Sequence, residues 1–142
     1  GMAIGLGQAA LDMTRALLSE EGYEDKFGGS MHQQTAVQYE LEMLEAELEA
    51  ARLLVYKSAW MMDNKMPNSK EASMGKAKAG RIGNRISLKC VEICSMQGFS
   101  EEHLLEKFSR DSKILDIFEG TQQIQQLIIA RQVLGKSSSD LK

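Results

Sequence analysis

The carboxylate of Glu119 stands between a largely apolar run, Ile114-Leu115-Asp116-Ile117-Phe118, and Gly120-Thr121, which opens a helix pattern. A carboxylate so placed suits a proton-abstracting base at a cleft mouth, with Phe118 beside it to exclude water. Taken by spacing alone, the same glutamate also reads as an acid stabilising a helix start. Metal chemistry is poorly served. A dimetal site in a helical bundle needs Glu-x-x-His pairs, and neither His32 nor His103 has a glutamate three residues before it, so no metal site is expected. Cys90 and Cys94 lie one helical turn apart with no further cysteine or nearby histidine to complete a tetrahedral set, and they read as buried free thiols. The methionines, including Met61-Met62 next to Trp60, read as core filling.

The segment around Glu119 is more specific as a pattern than as a spacing. Arg110-Asp111, then Glu119-Gly120-Thr121-x-Gln123-Ile124 and Ile129-Ala130-Arg131, resembles the C-terminal signature of the acyl-CoA dehydrogenase family. The resemblance extends upstream through Phe27-Gly28, the long acidic helix with Glu49-Ala50-Ala51-Arg52, a small-residue helix and Gly98-Phe99, and runs on to Leu134-Gly135. It implies that Glu119 removes the α-proton of an acyl-CoA thioester while the β-hydrogen leaves as hydride to FAD. It further implies that Glu119's own N–H helps to hold the thioester carbonyl. Phe118 and Gly120 would then line the substrate site, and Thr121 and Gln123 would face the flavin. An electron-transfer flavoprotein as electron acceptor and a homo-oligomeric assembly follow from the same resemblance.

Three positions depart from the family pattern. Glu24 stands where the family's Arg-x-x-Phe-Gly carries its arginine, with Lys26 the nearest cation; Thr35 stands where a glutamine is usual. The family's Gln-x-x-Gly-Gly-x-Gly becomes Glu92-Ile93-Cys94-Ser95-Met96-Gln97-Gly98. Two glycines that let backbone approach a cofactor are lost and a carboxylate is added. In the family these positions serve the flavin of a neighbouring subunit, so the departures imply weak or altered flavin binding without touching the base. The family's N-terminal helical domain and β domain have no counterpart in these 142 residues, which are not expected to turn over alone. A different reading stays open beside the enzymatic one: a non-catalytic, dehydrogenase-like bundle serving oligomerisation or partner binding.

The elements that must position these residues are helices. Pro67 is the only proline, so long uninterrupted helices are permitted almost everywhere. Residues 3 to 21 form a first amphipathic helix with Gly22 as its stop, and the glycine-rich stretch from Gly22 to Ser30 reads as a loop. The second helix carries Val37, Leu41, Leu44, Leu48, Ala51, Val55, Ala59 and Met62 on one stripe, with glutamates on its other faces. Asn68, three residues before Glu71, resembles a capping box for the third. That helix has Ala79, Ile82, Ile86, Cys90 and Ile93 on one stripe, and Gly75, Ala77, Gly80 and Gly83 let a partner approach closely. Gln97-Gly98 should end it. Ser100 should cap a short helix, a second break should fall near Ser109 to Ser112, and the last helix should run from Thr121 to Leu134 with Gly135 as stop. The fold expected is an all-α, up-and-down four-helix bundle with a short broken helical connection before the last helix, over residues 1–135, followed by a polar tail, 136–142.

The whole-chain quantities agree with one core. A length of 142 residues suits a single domain, and 43% hydrophobic with 26% charged residues is a globular composition. A net charge of −3 gives no basic surface for nucleic acid. No apolar run is long enough to span a bilayer, and Gly1-Met2-Ala3-Ile4 lacks a signal peptide's basic region. A cytoplasmic or organelle-matrix protein, not secreted, is expected.

Overall fold

The computed structural model describes residues 1–23 and 33–140. Its helices are α1 (Met2–Glu20), α2 (Ala36–Asp63), α3 (Ser69–Phe99), α4 (Leu105–Ile117) and α5 (Gln122–Leu134). The chain is all-α, as its periodicity implies. α3 packs against each of the other four helices, α1 also meets α2 and α4, and α5 lies mainly on α3. The core is Ile4, Leu11 and Leu17 of α1 with Leu41, Leu44 and Leu48 of α2. Ile82, Ile86 and Cys90 of α3 and Leu105 of α4 complete it. Full burial of each large aliphatic side chain contributes about 1.5–3 kcal/mol.

Small residues set the spacing around α3. A Cβ on Gly83 would lie 2.8 Å from the Ala3 carbonyl oxygen of α1, and one on Gly80 would lie 3.1 Å from the Asp116 Cα of α4. Each missing side chain therefore lets a different neighbour close on α3. Buried serines link α3 and α4 as well: Ser87 Oγ donates to Ser112 Oγ at 2.8 Å, and Asn84 Nδ2 donates to the same hydroxyl at 2.8 Å.

Several local expectations are corrected. α4 runs unbroken through Ser109–Ser112, because both hydroxyls turn back on their own helix: Ser109 Oγ bonds Glu106 O at 2.7 Å and Ser112 Oγ bonds Ser109 O at 2.9 Å. The break before the last helix falls instead at residues 118–121. Ser100 accepts from Glu102 N at 3.2 Å but opens only a turn, and α4 starts at Leu105. Asn68 does precede α3, yet its side chain caps nothing and donates instead to Ser58 O of α2 at 2.9 Å. Ala59 and Met62, placed on the buried stripe by pattern, are exposed, Met62 by 68%, and their neighbour Trp60 is 58% exposed. The last turns of α2 thus stand outside the core, whose α2 members end at Ala51 with Val55 packed against them. α1 closes as expected: Gly22 has φ 83°, and Tyr23 N–H reaches Leu18 O at 2.9 Å. Among the described residues no helix is long and apolar enough to cross a membrane.

Candidate active site

The turn between α4 and α5 is built from two residues with positive φ. Phe118 N still bonds Ile114 O at 2.9 Å, then Glu119 takes φ 56° and Gly120 φ 103°, and Thr121 returns to extended backbone as the N-cap of α5. Its Oγ1 accepts from Ile124 N at 3.4 Å. Left-handed backbone suits Gly120, whereas for Glu119 it costs about 1–3 kcal/mol and must be held by its surroundings.

Those surroundings form a clamp. Gln125 Nε2 donates to the Glu119 carbonyl oxygen at 3.1 Å. Gln122 Nε2 donates to Ala77 O of α3 at 2.7 Å and to Asp116 Oδ1. Lys76 Nζ of α3 donates to Asp116 O at 3.0 Å. Nothing in the linear pattern marks Gln122, Gln125, Lys76 or Asp116. The one available signal is the glutamine-rich start of α5, with Gln122, Gln123, Gln125 and Gln126 interrupting an apolar helix.

Glu119 and Phe118 border a cleft of about 260 Å³. It is also lined by the start of α1, by Val55 and Ser58 of α2, by Leu115 of α4 and, on α3, by Lys76 with the small residues Ala72, Gly75, Ala79 and Gly80. Small residues at these positions leave a slot with little bulk projecting into it. Glu119 stands exposed at the rim and Phe118 is partly buried. Water is therefore not excluded from Glu119 by this chain alone, contrary to the expectation from its neighbour Phe118. Among the described residues Glu119 N–H makes no backbone hydrogen bond. The chemistry available is an exposed carboxylate acceptor for a proton and a main-chain donor at the mouth of a slot lined largely by small residues.

The other expected site residues fall in two groups. Thr121 and Gln123 sit at the N-terminus of α5, Gln123 exposed, on the Glu119 side. Thr35 is instead the N-cap of α2, its hydroxyl accepting from Gln38 N at 3.1 Å and bonded to Tyr23 Oη at 2.8 Å. Glu92 is exposed and paired with Lys89 at 2.8 Å, an ion pair that also holds the Lys89 ammonium above its usual range. Three residues on, Ser95 breaks α3 with φ 50° and ψ −123°. Glu24, Lys26, Phe27, Gly28 and His32 lie outside the described residues. Cys90 and Cys94 are buried free thiols, and burial pushes Cys90 up to about 11. Among the described residues no cluster of three His, Cys, Asp or Glu could hold a metal ion.

The all-α bundle agrees with what comparison finds. Residues 1–134 match the family model of the acyl-CoA dehydrogenase C-terminal domain, and the chain belongs to that family. Among individual relatives it is 36% identical over 133 residues to the probable acyl-CoA dehydrogenase YngJ of Bacillus subtilis, covering 94% of this chain and 34% of that one. It is 38% identical over 134 residues to CarC, a subunit of the caffeyl-CoA reductase–Etf complex of Acetobacterium woodii, covering 94% and 35%. The solved glutaryl-coenzyme A dehydrogenase in complex with glutaryl-CoA matches with a TM-score of 0.81 at 30% identity, over 95% of this chain and 34% of that one. The chain thus spans about a third of the length of the curated relatives it matches.

Proposed function

We propose that this chain is the C-terminal portion of a flavin-dependent acyl-CoA dehydrogenase, with Glu119 as the base. The observation that carries the reading is Glu119 at the rim of the small-residue slot, held in a left-handed turn with its N–H meeting no acceptor among the described residues. The acyl chain of a thioester lies along Gly75, Ala79 and Gly80, with Phe118 against it. Its α-carbon then faces the Glu119 carboxylate, which takes the α-proton and becomes the neutral acid. Negative charge moves to the thioester oxygen, where Glu119 N–H stands ready to donate. The acyl chain itself covers Glu119 and supplies the exclusion of water that the bare chain lacks.

The residues at the head of α5 fit a flavin: Thr121 and Gln123 present hydroxyl and amide groups beside Glu119. What FAD supplies there when bound is acceptance of the β-hydrogen with its electron pair. Thr35 and Glu92 fit less well, since the threonine hydroxyl is engaged by both Gln38 N and Tyr23 Oη and Glu92 adds a carboxylate. The domain's share in holding the dinucleotide is therefore reduced, and Glu92→Gln in the full-length protein should raise flavin retention on gel filtration; equal retention would remove Glu92 from the account. Electron transfer onward to an electron-transfer flavoprotein is supported by a relative named as part of an Etf complex. A homo-oligomer in the cytoplasm or an organelle matrix completes the reading.

The deciding experiment is acyl-CoA oxidation by the full-length protein with a dye acceptor, wild type against Glu119→Gln. The amide cannot accept the proton, and the rate should fall by roughly 10²- to 10⁴-fold. An unchanged rate would sink the assignment. No oxidation by the wild type would instead favour a bundle without turnover, to which the exposed Leu53, Tyr56, Trp60 and Met62 of α2 offer an apolar surface.

A further inference from the structure

Gln125 is the buried residue of α5, 7% exposed, on a helix whose Ile124 and Leu127 are 49% and 44% exposed. A primary amide is costly to bury unless it is hydrogen-bonded, so an inward glutamine between outward aliphatic side chains needs a polar reason. That reason is the carbonyl oxygen of Glu119, 3.1 Å from its Nε2. The bond falls on a residue whose φ of 56° its own side chain disfavours.

Two neighbours make the contact specific. A Cβ on Gly120 would stand 2.5 Å from Gln125 Nε2, so glycine there provides both the φ of 103° and the room for the amide. Gln122 ties the first turn of α5 to Ala77 O of α3 and to Asp116 of α4, so the helix carrying Gln125 cannot drift from the turn. We infer that Gln125 is a positioning residue: it holds Glu119 in the left-handed conformation that directs both the carboxylate and the N–H of that residue at the cleft. The functional half rests on Glu119 being the base; the backbone half does not.

Without the amide donor, Glu119 is free to relax to right-handed or extended backbone, which swings its Cα–Cβ bond away from the slot. The full-length protein tests this with Gln125→Met, which keeps the length and removes the donor. Gly120→Ala is the second variant, because it displaces the amide while leaving Gln125 in place, and the exposed Gln126→Met serves as control. Both test variants should lose kcat by roughly 10- to 100-fold, as expected for a displaced catalytic group. In Gln125→Met, KM should stay within about twofold, since no residue of the slot is changed. Crystal structures of the wild type and of whichever variant folds should show Glu119 leaving the left-handed region. Glu119 retained at positive φ in the variant, or turnover equal to that of the Gln126→Met control, overturns the inference. Failure of the base assignment is seen separately: Glu119→Gln would keep its rate, while the effect of Gln125 on the backbone of Glu119 would still be read in the crystal.

Discussion

Three non-glycine residues take positive φ among those described, and they use it differently. Lys65 closes α2 in the ordinary way, with Met66 N–H reaching back to Met61 O at 2.9 Å. Glu119 is held by Gln125. Ser95, at φ 50° and ψ −123°, sits where only glycine is at ease, inside the break of α3. Its strain of roughly 1–3 kcal/mol exceeds the ~0.4–1 kcal/mol that a glycine adds to the unfolded chain's freedom. Ser95→Gly should accordingly stabilise the protein by about 1 kcal/mol in urea unfolding; a loss would show that the hydroxyl is engaged more strongly than the strain. At this scale, the legible part of the site was the part contiguous in the chain: Phe118, Glu119, Gly120, Thr121 and Gln123. Gln125 and Lys76 were not legible, because a side chain that serves a carbonyl carries no mark in a linear pattern. Asn68 shows the converse, since a residue with the right type and place for a cap spends its amide on Ser58 O.

Helix faces were read well where one partner decides them and less well where several do. The Leu41-Leu44-Leu48-Ala51 stripe of α2 is buried as its spacing requires. The small residues of α3 announced a close approach, but not that Gly75, Gly80 and Gly83 serve α2, α4 and α1 respectively. The serines of α4 suggested a break by propensity, whereas their return bonds and the contact with Ser87 keep them inside a helix. The 2.8 Å approach to a backbone oxygen, shorter than any at Gly75 or Gly80, makes Gly83 the least forgiving of these positions. Gly83→Ala drives a methyl to 2.8 Å from Ala3 O, so α1 must shift, at a cost of about 1–3 kcal/mol. Gly5→Ala is the matched control within α1: nothing lies within 4 Å of its added Cβ, and helix propensity favours alanine by ~1 kcal/mol. Thermal unfolding of the two variants should move in opposite directions. Equal shifts would mean that the α1–α3 packing adjusts freely.

For the molecule as a whole, the buried thiols link stability to alkaline pH. Burial raises both Cys90 and Cys94, opposed by a hydrogen bond with Thr14, and Cys90 reaches about 11 from an ordinary value of 9.0. The unfolded chain therefore ionises these thiols first. Stability is full below about pH 9 and declines as pH rises toward about 11, by up to ~2–3 kcal/mol for Cys90. Urea unfolding followed across that window should show the decline, and Cys90→Ala should flatten it while lowering stability at neutral pH through lost packing. A slope unchanged by the substitution would assign the alkaline loss to other groups. Composition and periodicity were enough to anticipate an all-α fold with one core. They could not foretell that the end of α2 stands clear of it, because the apolar stripe runs on through Ala59 and Met62 without a break.

That overhang carries the only tryptophan of the chain, Trp60, 58% exposed. An indole already surrounded by water emits near the wavelength it would have in an unfolded chain. Intrinsic fluorescence of this chain is then nearly blind to loss of the core, which far-ultraviolet circular dichroism would report in full. The same indole is a sensitive optical witness for anything that comes to lie on the α2 overhang. A shift of its emission to the blue in a longer polypeptide or an assembly would record the covering of that face directly.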